Sequence, residues 1–346
     1  MPNLKSTTAL FLIMLLFSCT KEELASSVEN IIGQNFDSGL KIDGHQYDGL
    51  LIENCTFTNN SLRLGNVTDV LIRNCTFEDI GFDGIKLGFI GEVSNIIIED
   101  CTFKNIGFNG VDSHERAPNC TIRNCYFENI ALSEVGAALA QPHHGIYWKG
   151  KNVDINGNTF VNGSQPFGNA ISVRSSGKVR NNTIFNPAKN GIMYFANHPG
   201  NDSLIIENNF VVNPNFYSII CASDGNLSNH NENVIIRFNS TSQSENQSIY
   251  IAGDFETTTS IQIYGNLFVN STADYFRTFY DIDSIFSNLT STTDVGFVNA
   301  SEGDLHLTST SAAIGFCDGL GQFPSTDIDG EVRTSINLDA GADERN

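Results

Sequence analysis

One phrase returns along this chain with a fixed shape: LIENCTF, LIRNCTF, IIEDCTF and TIRNCYF, then variants in which Asn replaces Cys. Aligned on aliphatic-x-x-[Cys/Asn]-x-apolar, its fourth position falls at Cys55, Cys75, Cys101, Cys125, Asn158, Asn182, Asn209, Asn239 and Asn266. The gaps are 20, 26, 24, 33, 24, 27, 30 and 27 residues. A period of that size marks a solenoid, whose units bury their apolar faces only against their neighbours. Leucine-rich repeats share the period but need a Leu-dense consensus, which is absent. Segments rich in Ile, Val, Phe and Thr, separated by Gly and Asn, predict strands and tight turns.

Each period holds a second phrase: DGIKLG, NGVDSHE, HGIYWKG, NAISVRS, NGIMYF, YSIICA and QSIYIAG. Apolar residues alternate there with variable ones, which puts one set inside and the other outside. Ile85, Val111, Ile146, Ile171, Ile192, Ile219 and Ile249 are expected to face inward. Lys86, Asp112, Tyr147, Ser172, Met193, Ile220 and Tyr250 are expected to face outward. Two phrases per period predict an all-β fold, a single-stranded right-handed parallel β-helix of about ten coils. Equivalent residues then stack about 4.8 Å apart. The Cys/Asn position becomes an inward ladder at a turn, with thiols in the early coils and amides in the later ones.

The formal charge is −20, which disfavours general nucleic-acid binding. The N-terminus reads as a targeting segment: Lys5, the apolar run ALFLIMLLF, then LFSC ending at Cys19. That ending resembles a lipoprotein cleavage box, and the following TKEE resembles the export signal of surface lipoproteins in Bacteroidetes. The resemblance implies lipidation of Cys19 and an exported, surface-exposed outer-membrane lipoprotein, held to the membrane by that anchor alone. The expected division is a signal peptide over 1–19, a linker and N-terminal cap over 20–45, the β-helix over 46–280 and a C-terminal cap or tail over 281–346. Four of the eight cysteines are repeat positions. Cys120, Cys221 and Cys317 have no repeat role, and their pairing stays open.

The tail reads GFVNASEGDLHLTSTSAAIG and then DIDGEVRTSINLDAGADE. It resembles the tail of secreted bacterial parallel β-helix proteins of the pectate-lyase-like superfamily over Phe297–Glu344, with Ala312 where Pro is usual. The segment NAISVRSSGKVRNNTI is similar to the Lys-Ser segment of alginate lyase and chondroitinase B type β-helix lyases, with Arg174 at the Lys position. Where those enzymes have Arg-His-Gly in the next coil, this chain has GIMYFANHPG.

Charge is unevenly spread. Between Gly136 and Asn201 lie Lys149, Lys151, Arg174, Lys178, Arg180 and Lys189, with His143, His144 and His198, against the single acid Asp154. A basic patch on an acidic protein attracts an anionic ligand, and an anionic polysaccharide is the expected partner of a monomeric exported β-helix. In register, His114, Lys149, Arg174 and Phe195 follow one another on successive coils. That grouping suits β-elimination of a uronic-acid polymer, which needs a cation on the carboxylate, a base for the adjacent proton and an acid for the leaving oxygen. Lys149 is the expected base, Arg174 the carboxylate clamp, and Tyr147 or His144 the proton donor. His114, His143, Lys178 and Arg180 are expected substrate contacts. The lyase resemblance implies Ca²⁺ on carboxylates, for which Asp112 and Glu115 are the candidates. The insertion ALSEVGAALAQP before HHGIYWKG is expected to wall the groove. The competing functions are a non-catalytic surface protein that binds a glycan or a partner, and a glycoside hydrolase, which would need paired carboxylates that this window lacks.

Overall fold

The computed structural model describes residues 28–132, 142–163, 168–200, 202–252, 259–271, 275–278, 282 and 284–345. Cys19 and the 133–141 insertion therefore lie outside the described residues. No helix among the described residues is long and apolar enough to cross a membrane.

Three parallel sheets form the walls of a solenoid. The first wall has 11 strands, from Ile31–Ile32 to Ser284–Phe286; the second has 11, from Asn35–Phe36 to Leu289–Ser291; the third has 10, from Leu40–Asp43 to Phe276–Thr278. The repeated phrase spans two of these strands and the corner between them. The Gly-Ile phrase supplies the third, so each coil has three strands where the sequence showed two phrases. Pairing is in register throughout: Ile85 sits beside Val111, Val111 beside Ile146, Ile146 beside Ile171, and so on to Ile219 and Ile249. All seven are fully buried, as expected.

The corner explains the Asn-Cys-Thr-Phe wording. Asn54, Asn74, Asp100 and Asn124 adopt left-handed φ values of 52–54°, a region that Asn and Asp tolerate better than other side chains. The next residue turns inward. Cys55, Cys75, Cys101 and Cys125 are buried, and each thiol lies 3.2–3.3 Å from the carbonyl two residues earlier. The Phe two residues on also points in, so Phe36, Phe57, Phe77, Phe103, Phe127 and Phe160 stack with centroids 4.6–4.9 Å apart, the spacing of the strands themselves. Ile184 ends the stack. From Asn158 onward the amides take over. Each Nδ2 donates to the next Oδ1 at 2.8–3.0 Å, through Asn182, Asn209, Asn239 and Asn266 to Asn288. All seven described cysteines are free, including Cys120, Cys221 and Cys317.

Two boundaries differ from expectation. The first coil starts at Ile31, inside the expected 20–45 cap, because Ile31 and Ile32 already pair with Ile52 and Glu53. The last strands reach Ser291, beyond 280. The tail also does more than follow the end of the solenoid. It runs back along the outside of the second wall: Gly341 N–H donates to Gly265 O (2.8 Å), Ala342 N–H to Ser240 Oγ (2.9 Å), and Asn208 Nδ2 to the carbonyl of Thr326 (2.7 Å). Phe210, Leu267 and Val269 are buried against it. Its Arg333 is buried, bonds Glu344 at 2.7 Å and lies 4.8 Å over the Phe238 ring. The DIDGEVR…DAGADE pattern is thus a set of interlocking structural contacts.

A cationic cleft on the third wall

Tyr147 is the middle residue of strand Ile146–Trp148, and Ser172 is its register partner on Ile171–Val173. Lys149 and Arg174 each follow the last residue of these strands, so they leave the same wall one coil apart. Lys149 Nζ sits 4.1 Å from the Tyr147 ring centroid, and the Arg174 guanidinium carbon 4.8 Å from the same centroid. Phe195, on the next coil, covers the other side of Arg174 at 4.9 Å. Arg174 Nε donates to Ser172 Oγ at 3.2 Å. Outward Ser172 is therefore fully buried, under Arg174.

The two cations differ in compensation. Lys149 bonds Asp112 at 2.8 Å, and Asp112 takes Lys86 on its other oxygen, also at 2.8 Å. Arg174 is 8% exposed and has no carboxylate partner among the described residues. Burial draws its pKa down from the usual guanidinium value, while Tyr147 pushes the other way. A buried charge with no counter-charge is costly, and two aromatic faces offset only part of that.

A cleft of ≈320 Å³ opens beside Arg174, lined also by Lys189, His144, Asn169, Phe195 and Tyr217. His144 belongs to a second ladder, at the corner that precedes the third wall. Asn109 Nδ2 donates back to Asp83 Oδ1 (2.8 Å), and Asn190 Nδ2 donates back to Asn169 Oδ1 (2.7 Å). Three rungs also accept the backbone N–H of the following one: Asp83 Oδ1 takes Asn109 N–H (3.2 Å), Asn109 Oδ1 takes His144 N–H (2.7 Å), and His144 Nδ1 takes Asn169 N–H (3.1 Å). His144 is 1% exposed; burial first, then Arg174, holds its pKa well below the imidazole range. A buried imidazole held neutral has no ready proton to give up as a general acid, which corrects the expected proton-donor role. Sequence reading missed this ladder. Its signal was the residue before each Gly or Ala: Asp83, Asn109, His144, Asn169, Asn190.

The other expected contacts scatter. His143 stacks on Phe108 at 4.3 Å, with its pKa lowered by burial. His114 stands beside Lys149 in register, its pKa lowered by burial and then by Arg116. Lys178 and Arg180 lie on the first wall, in strand Gly177–Arg180, where Arg180 pairs with Asp154 at 2.7 Å. The chain turns the corner at Ser175 and Ser176, so closeness in numbering to Arg174 does not bring them into the cleft. Asp112 and Glu115 do not fit Ca²⁺: both oxygens of Asp112 hold lysines, and Glu115 sits 3.2 Å from His198. Among the described residues the cluster of metal-ligating type is His306, Asp329 and Asp343, in the tail region.

A family model described as "Right handed beta helix region" matches residues 16–160 and 62–233. The chain belongs to the right-handed β-helix family. No curated protein matches it in sequence. Among solved structures, this right-handed β-helix resembles the pectate lyase Pel9A at TM-score 0.59 and 13% identity, over 92% of this chain and 86% of that one. A tailspike of the E. coli bacteriophage HK620 in complex with a pentasaccharide aligns at TM-score 0.46 and 14% identity, over 84% and 62%. The alginate lyase AlyGC aligns at 0.39 and 15%, over 89% and 54%. The likeness to Pel9A, with the family match, establishes a pectate-lyase-like fold.

Proposed function

We propose that this β-helix binds an anionic, uronic-acid-type polysaccharide along the third wall and cleaves it by β-elimination, as a surface lipoprotein anchored through Cys19. The observation that carries the reading is Arg174: buried, clasped by two aromatic rings and without a counter-charge among the described residues. Such a cation is stabilised by an anion delivered from outside, and a sugar carboxylate suits a guanidinium fork. The surrounding rings of Phe195 and Tyr217 suit the apolar faces of sugars.

In β-elimination, a cation on the carboxylate acidifies the neighbouring C–H. A base takes that proton, its electron pair forms the C=C bond, and the C–O bond to the next sugar breaks with protonation of the leaving oxygen. Arg174 is the carboxylate clamp. Lys149 is the second cation rather than the base, because its Nζ is held by Asp112, which also binds Lys86. Tyr147, between the two cations, is the proton-transfer group.

The test is incubation with alginate, pectate, ulvan and chondroitin, following ultraviolet absorbance of the unsaturated uronate. Absorbance should rise with one of them and vanish in Tyr147→Phe, while Arg174→Gln should weaken binding by about a hundredfold or more. Binding without any absorbance change would leave a glycan-binding protein and remove the elimination step. Equal binding by Arg174→Gln would remove the site.

A further inference from the structure

We propose that His144 forms, with Arg174, an oxyanion subsite in the cleft, its neutral Nε2–H donating to the carboxylate of an acidic sugar. This rests on the polysaccharide reading above and names the residue that fixes where the anionic group sits.

The argument starts from the ladder. A rung in that corner does two jobs when it is Asn: its oxygen accepts the next coil's backbone N–H, and its Nδ2 donates to the preceding rung. Asn109 and Asn190 show the donation directly. His144 does only the first job. Its Nδ1 accepts Asn169 N–H, so the proton of the neutral ring must be on Nε2. That Nε2 is buried and has no hydrogen-bond partner among the described residues. The neighbouring rung adjusts as well: Asn169 Nδ2 turns to Met193 Sδ at 3.2 Å instead of reaching back.

The break therefore costs two ladder bonds and leaves a buried donor unmet at the cleft lining, and buried donors are rarely left so. It falls at the rung that lines the Arg174 cleft, while Asn109 and Asn190 on either side still reach back to the rung before them. Two cations that line the cleft, Arg174 and Lys189, add the charge that attracts an oxyanion. A fixed N–H that cannot easily become charged supplies direction without adding repulsion between cations. That combination reads a carboxylate's position rather than merely its charge.

The test is His144→Asn, which restores both ladder functions while withdrawing the donor. Binding of sodium glucuronate and of alginate, pectate and chondroitin tetrasaccharides would be measured by calorimetry, with thermal unfolding alongside. The expected result is a variant at least as stable as the parent that binds about tenfold or more weakly. Unchanged affinity overturns the subsite. If glucuronate binds the parent and not the variant while every oligosaccharide fails, the subsite stands and the polysaccharide reading falls. If nothing binds the parent, both fall. Should the variant not fold, the ¹⁵N resonance of His144 Nε2 in the parent decides the matter, since a signal unmoved by glucuronate overturns the proposal.

Discussion

The two corners of each coil that carry polar ladders obey the same stacking rule and end differently. At the corner before the second wall, six amides from Asn158 to Asn288 run unbroken, and Asn209 Nδ2, like those of Asn239 and Asn266, lies within bonding distance of two carbonyls and the next rung's Oδ1. At the corner before the third wall the run Asp83, Asn109, His144, Asn169, Asn190 changes residue type in the middle. The first ladder faces only the interior, so every rung answers to stability. The second borders a cleft, and the rung nearest the buried cation gives up ladder bonds. Within a repeat, consistency between rungs is the signature of folding, and a departure from it points to something selected for another reason.

The comparison can be broken most strongly at the uninterrupted ladder. Asn209→Leu leaves the backbone N–H and Nδ2 of Asn182 without their acceptor. It should cost more than about 3 kcal/mol in urea unfolding; a loss below about 1 kcal/mol would show that the amides merely fill space. A smaller effect separates the ladders by pH. The unfolded chain protonates His144 below about pH 6.5, whereas the folded chain resists it, held by burial and by Arg174, His143, Lys149 and Lys189. The unfolded state then binds more protons, so the contribution is fully present above that pH and declines below it, by up to about 1.4 kcal/mol per pH unit. His144→Asn should flatten that acid limb, as read from urea midpoints between neutral and mildly acidic pH. The smallest effect is expected among the thiols. Cys101→Ala removes one buried sulfur from a rung whose bonds are weak, and should cost about 1 kcal/mol. A cost equal to that of Asn209→Leu would make the two halves of the inward ladder energetically alike.

Much of the fold was legible because stacking writes the same residue into every coil. Cys55 to Asn266 gave the corner, and Ile85 to Ile249 gave the third wall. The neighbourhood of Lys149, Arg174 and Tyr147 followed from register alone. What register cannot give is where a long side chain ends. Lys149, the expected base, reaches one coil back and pairs with Asp112. Lys178 and Arg180 were grouped with Arg174 by counting charges along the chain, although a corner separates them. The lateral course of the tail left a trace that went unread. The outward place of the second wall holds Thr76, Thr102, Tyr126, Thr159 and Thr183, none of them buried, then switches to the buried Phe210, Ser240 and Leu267 where the tail lies over it.

That tail has a consequence for how such a molecule can change length. Its anchors at Asn208, Ser240 and Gly265 are spaced by the rise of successive coils, so adding or deleting one coil between them would throw the bonded segments out of step. Among the described residues, coils before Phe185 carry no such tether. Duplication and loss of repeats are therefore cheap at the amino-terminal end and penalised at the other, which would let the solenoid lengthen in one direction while the cleft and the clasp keep their distance from each other.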